Sequence, residues 1–95
     1  MPKVILEGYI VVPEDDLNAV SAALQTHIEL TREENGCLRF EVTQNPESLN
    51  IFNVYEEFVD RTAFELHQFR AIASVWGAVT ANVERYYDVY ESHIQ

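Results

Sequence analysis

The chain has 95 residues, 47% of them hydrophobic and 23% charged, which is the make-up of one globular domain spanning residues 1–95 rather than of a disordered chain. Its formal net charge of −10 repels phosphate backbones and anionic membranes. The six basic residues are scattered, so no local patch reverses that repulsion, and neither nucleic acid nor membrane is expected as a partner.

Residues 3–12 form the first predicted strand, rich in β-branched side chains. Val4, Leu6, Ile10 and Val12 fall on one side and Ile5, Tyr9 and Val11 on the other, so both faces carry apolar groups. Glu7 interrupts this stretch, which is too short to cross a bilayer and has no basic leader or small-residue cleavage site. A cytoplasmic location is therefore expected. Pro13 ends the strand, and Glu14, Asp15 and Asp16 place negative charge at a helix N-terminus. The helix runs to about Glu33, with Leu17, Val20, Leu24 and Ile28 as its buried stripe, and Asn35-Gly36 terminates it. Strands over 37–44 and 50–59 follow, joined by the Asn45-Pro46-Glu47-Ser48 turn.

Asp60 is the N-cap expected for a helix starting at Arg61 and carrying Ala63, Phe64, Leu66, His67 and Ala71. The apolar phase shifts near Arg70, where the helix is expected to break or bend. Ile72, Val75, Trp76, Val79 and Val83 then share one helical face. A last strand near 84–91 contains Tyr86, Tyr87, Val89 and Tyr90. The order strand, helix, strand, strand, helix, strand is the ferredoxin-like βαββαβ pattern, an α+β fold with an antiparallel sheet and helices on one face. The second face, also apolar and aromatic, then needs a cover, and a homodimer packed sheet to sheet supplies it.

The segment Glu34-Asn35-Gly36-Cys37-Leu38-Arg39-Phe40, then Tyr55-Glu56-Glu57-Phe58, then Ala63-Phe64-Glu65-Leu66-His67 resembles the antibiotic biosynthesis monooxygenase family. The resemblance lies in the Gly-Cys-aliphatic entry to the second strand, the Tyr-Glu-Glu-aromatic third strand and the inward histidine of the following helix, and it covers nearly the whole chain. It implies a dimeric α+β barrel with a pocket between sheet and helices. It also implies, for some members, oxidation of phenols or quinols by dioxygen without metal or flavin, and for others haem degradation or isomerisation of a sugar-like phosphate. The family's His-x-x-Ser-x-His pattern begins at His67, but Arg70 stands at the serine place and Ile72 at the second histidine place, with the following aromatic kept as Trp76. The haem-degrading branch fits less well, since it needs a tryptophan where His67 stands and a histidine near Gly77.

His67, three residues after Phe64, is the candidate catalytic group: a neutral imidazole suited to taking a phenolic proton, or else a core histidine that closes the pocket through one hydrogen bond. Tyr55, Asn53 and Glu57 share one strand face and either orient a hydroxylated ring or pair across a dimer axis. Trp76, Phe64, Phe40 and Tyr9 are read as core packing or as pocket walls for a planar substrate. Glu56 lies among Phe52, Val54 and Phe58, where an ion pair with Arg39 or Arg85 is expected, the alternative being a raised pKa.

Cys37 is read as a small apolar strand residue; standing alone, it cannot form an intrachain disulfide or a cysteine-rich metal site. His27, His67 and His93 have no metal-ligand spacing, and the three glycines make no phosphate loop, so neither metal nor nucleotide cofactor is expected. The expected activity is a cofactor-independent monooxygenase acting on a quinol or polycyclic phenol. His67 would be the base, Tyr55 and Asn53 would orient oxygen substituents, and Trp76 with Phe64 would clamp the ring. Two alternatives stand beside it: an isomerase of a small oxygenated metabolite, marked by Arg39, Arg70 or Arg85 facing inward, and a non-catalytic dimeric binding module.

Overall fold

The computed structural model describes residues 2–92; Met1 and residues 93–95, including the candidate His93, lie outside the described residues. Strand β1 (Lys3–Val11) leads through a single 3-10 turn (Glu14–Asp16) into helix α1 (Leu17–Arg32). Strands β2 (Cys37–Gln44) and β3 (Ile51–Phe58) follow, then α2 (Arg61–Ala73), α3 (Val75–Val79) and β4 (Glu84–Ser92). The strands form one antiparallel sheet in the order β2-β3-β1-β4, the ferredoxin-like arrangement. Among the described residues no helix is long and apolar enough to cross a membrane.

Register decides which side chains meet the helices. Leu6 pairs with Glu56 on one side and Val89 on the other, Gly8 with Val54 and Tyr87, and Ile10 with Phe52 and Arg85. With a strand period of two, these residues share the helix-covered face. On β2, Phe40 pairs with Glu56 and Val42 with Val54. An irregularity between Cys37 and Arg39 shifts the parity, so Cys37 pairs with Phe58 on the same side. The core joins Val4, Leu6, Ile10, Phe52 and Phe58 to Val20 and Ile28 of α1 and Phe64 of α2.

Turn chemistry fixes the ends of the helices. Gly36 has φ +88, and an added Cβ would stand 2.6 Å from that of Ala63, so the α1–β2 turn requires glycine. Asp60 caps α2 by accepting a hydrogen bond from the Ala63 amide at 2.8 Å. The helix does not break near Arg70 as its apolar phase suggested. It continues to Ala73, and Ser74 makes the break by donating to the Ala71 carbonyl at 2.7 Å and accepting from the Gly77 amide at 3.4 Å. The proposed stripe divides accordingly: Val83 is buried and Trp76 and Val79 pack on the core, whereas Ile72 and Val75 are 77% and 71% exposed.

Replacing Asp60 by alanine removes the cap and is expected to lower stability by about 1 kcal/mol. Urea unfolding of the two proteins checks this, and an unchanged midpoint would contradict the capping role.

Candidate functional site

The helix-covered face of the sheet and the helices above it enclose a cavity of about 420 Å³. Its walls include His27 of α1, Glu56 of β3, His67 of α2, Trp76 of α3, and Arg85 and Tyr87 of β4. The volume falls within the usual range for small-molecule sites, roughly 300–1,000 Å³.

His67 is 3% exposed. Its Nδ1 lies 3.1 Å from Glu34 Oε1 and 3.2 Å from Oε2. A carboxylate only accepts, so the imidazole proton belongs on Nδ1 and Nε2 is left as the basic nitrogen. Arg70 holds Glu34 in turn: its Nε donates to Oε2, and its Nη2 donates to Thr31 Oγ1 at 3.0 Å. Burial lowers the His67 pKa, outweighing the opposing pull of the Glu34 hydrogen bond, and the ring is therefore neutral at pH 7.

Glu56 Oε1 stands 3.9 Å from His67 Nε2, too far for a hydrogen bond, and has no hydrogen-bond partner among the described residues. Burial, with the Glu34 charge adding to it, pushes the Glu56 carboxyl up to about 8. The expected ion pair does not form. Arg39 lies on the opposite face, paired with Glu41 at 3.1 Å, and Arg85 Nη2 donates to Thr80 Oγ1 at 3.1 Å and to its carbonyl oxygen at 3.3 Å. A second imidazole reaches the cavity from α1: His27 stacks on Trp76 with ring centres 4.6 Å apart and lies 6.0 Å from the His67 ring. Burial, then the neighbouring His67 and Arg70, pushes His27 down to about 3, leaving it neutral. Tyr87 is pushed up to about 12, mainly by burial, and keeps its hydroxyl proton.

The residues picked from the sequence divide between the two faces. His67 and Trp76 line the cavity, and Phe40 packs edge-on against His67 at 5.5 Å. Phe64 packs on Phe58 in the core, at 5.9 Å between ring centres, and does not line the cavity. Tyr9, Asn53 and Tyr55 lie on the opposite face, and their assignment beside His67 is corrected. Strand alternation turns Val54 and Glu56 toward the helices and therefore residues 53 and 55 away. There Tyr55 donates to Glu57 at 2.7 Å, and Tyr9 stacks on Tyr86 at 5.0 Å.

Sequence reasoning missed Glu34 as the partner of His67, and it weighed His27 only as a metal ligand. His27 had a usable signal, standing seven residues after the buried Val20 on the same helical face. Among the described residues no group of three or more His, Cys, Asp and Glu side chains is arranged to hold a metal ion.

The sequence profile of the family described as antibiotic biosynthesis monooxygenase matches residues 3–73. No curated protein matches the chain. Among solved structures, a conserved Bacteroides thetaiotaomicron protein of unknown function is similar with a TM-score of 0.80 at 16% identity, over 95% of this chain and 97% of its own. A Deinococcus radiodurans protein provisionally named an antibiotic biosynthesis monooxygenase gives 0.79 at 21% identity, over 97% and 94%. One from Nitrosomonas europaea, named with the same provision, gives 0.76 at 22% identity, over 97% and 90%. At these identities the structures show a shared fold.

The buried carboxyl and the buried imidazoles tilt stability with pH in opposite directions. Glu56 ordinarily titrates at 4.5 but at about 8 when folded, so the folded state binds the extra proton between those values and stability falls as pH rises. His27 ordinarily titrates at 6.5 but at about 3 when folded, so stability rises with pH between those values. His67, also lowered, adds to the His27 slope. From about 6.5 to 8 the Glu56 slope is opposed by neither histidine, and it fades as pH approaches 8. Glu56→Gln is expected to flatten that limb in urea unfolding and to be the more stable protein at pH 8. An unaltered limb would show that Glu56 is ionised in the folded state.

Proposed function

Because the chain belongs to the antibiotic biosynthesis monooxygenase family, we propose that it is a cofactor-independent monooxygenase that oxidises a quinol or polycyclic phenol with dioxygen. The observation that carries this reading is the orientation of His67, whose Nδ1 is committed to Glu34 while its ring lines the cavity. A neutral Nε2 accepts the phenolic proton, and the anion left behind is electron-rich enough to react with dioxygen, so the substrate supplies its own electrons. Trp76, stacked on His27, forms an aromatic wall against which a planar ring packs. Tyr55 and Asn53 have no part in orienting the substrate, because the sheet separates them from the cavity.

The open face takes a different role. Tyr9, Tyr86 and Tyr90 are 39%, 49% and 42% exposed there, next to Ile5, Val11 and Ile51. A second copy of the chain packed against this face buries that surface, consistent with aromatic side chains at an interface. Light scattering is expected to give twice the chain mass, and Tyr9→Glu to shift the population toward the monomer. A monomeric wild-type protein would overturn the pairing.

An isomerase of a small oxygenated metabolite is the second reading. It is favoured by the basic Nε2 and the protonated Glu56 on one wall, together with the inward Arg85. Oxygen uptake separates the two. Metal-free protein offered hydroquinones and anthrones is expected to consume dioxygen above background, and His67→Ala to lose that consumption by on the order of 100-fold or more. Equal uptake by both proteins would remove His67 from the chemistry, and no uptake by either would favour isomerisation or simple binding.

A further inference from the structure

We propose that Glu56 is a second catalytic residue of this cavity, the acid that protonates the distal oxygen of a peroxide formed on the substrate's ring carbon. The proposal rests on the oxidation reading above and adds to it the group that passes the proton taken up by His67 on to the distal oxygen.

The case begins with the cost of the residue. Glu56 sits on the inner side of β3 between Val54 and Phe58, facing Leu6 across one strand pair and Phe40 across the other. It is 6% exposed, and its Oε1 has no hydrogen-bond partner among the described residues. A carboxyl placed there without a cation keeps its proton and weakens the fold relative to an apolar side chain. The charged and titratable groups around it do not change this. From α2 it meets His67, with Arg70 behind it committed to Glu34 and Thr31. From α1 comes His27, which is neutral, and from β4 come Tyr87 and Arg85, whose Nη2 is bonded to Thr80. From β2 comes Cys37, whose thiol is pushed up first by burial and then by Glu34 and Glu56. Among the described residues no structural bond explains the carboxyl, whereas a place on the cavity wall 3.9 Å from the basic nitrogen does.

The steps balance as follows. His67 Nε2 removes the hydroxyl proton, and the electron pair moves into the ring. A ring carbon that still carries one hydrogen bonds to dioxygen, which takes up the electron pair and becomes a bound peroxide anion. Glu56 gives its proton to the distal oxygen and is reprotonated by His67, so both groups are again neutral. His67 then takes the remaining carbon-bound proton as the O–O bond breaks, leaving a carbonyl on carbon and a hydroxide ion. Hydroxide takes that proton back from His67 and leaves as water. One phenol and one dioxygen become one quinone and one water. The substrate class that fits is a phenol or quinol with an unsubstituted ring carbon conjugated to the hydroxyl.

The test pairs infrared spectroscopy with kinetics on wild-type protein and Glu56→Gln, a near-isosteric change expected to fold. At pH 7 wild type should show the carbonyl stretch of a buried, protonated carboxyl that Glu56→Gln lacks. Oxygen uptake by wild type should fall as pH rises through about 8. In Glu56→Gln that fall should vanish and kcat should drop on the order of 100-fold, with KM held within about twofold. An ionised Glu56 at pH 7, or an unchanged kcat and pH profile in the variant, would overturn the acid role while leaving wild-type oxidation intact. No uptake by wild type with any phenol would sink the oxidation reading itself, and the acid step with it.

Discussion

The hydrogen bond from His67 Nδ1 to Glu34 is the contact on which the site depends. It joins the end of the α1 segment to α2 across 33 residues of sequence, and Arg70 reinforces it from the same helix. Charge-assisted hydrogen bonds of this kind contribute roughly 1.5–3 kcal/mol each. The contact also has a chemical consequence that packing alone would not give. With Nδ1 occupied by its proton and its carboxylate partner, the ring has one basic nitrogen left, 3.9 Å from Glu56. The Glu34–Arg70 pair sits toward the surface, with Arg70 one-third exposed, while His27, His67 and Glu56 on the cavity wall beneath it are neutral.

That neutrality follows from the sheet. One face of β3 delivers Phe52, Val54 and Phe58 to the core and Glu56 with them, under helices that exclude water. The other face gathers the charged groups, with Lys3, Arg39 and Tyr55 around Glu57. A strand of eight residues thus separates two kinds of chemistry by alternation alone. On the inner side, His27, His67 and Glu56 are all held uncharged at neutral pH by burial. This suits the acid and the base proposed to exchange protons with a neutral aromatic compound.

Much of the fold was legible because its turns are marked by residues with a single physical use. Pro13, Asn35-Gly36 and Asp60 fix element ends that the structure reproduces within a residue or two. The break after α2 was misplaced because the apolar phase changes at Arg70, whereas the chain obeys the hydroxyl of Ser74. The site was less legible. Placing Tyr55 and Asn53 beside His67 chose the polar face of β3, although Phe52, Val54 and Phe58 share the parity of Glu56 and only one face meets the helices. The same parity would have argued against an ion pair with Arg39. Glu34 stands next to the Asn35-Gly36 turn, and nothing local announces a partner so distant in sequence. Ile72 stands where the family pattern has its second histidine, and the imidazole found near His67 is that of His27 on another helix, a neighbour visible only once α1 and α3 are packed together.

The most direct test of this account is the tautomer of His67, read from the nitrogen-15 chemical shifts of its ring at pH 7 in wild type and in Glu34→Gln. The account predicts a neutral ring with the proton on Nδ1 and a basic Nε2 in wild type, and a redistribution between the two tautomers once the carboxylate is gone. A wild-type ring protonated on Nε2, or one carrying both protons at pH 7, would contradict it.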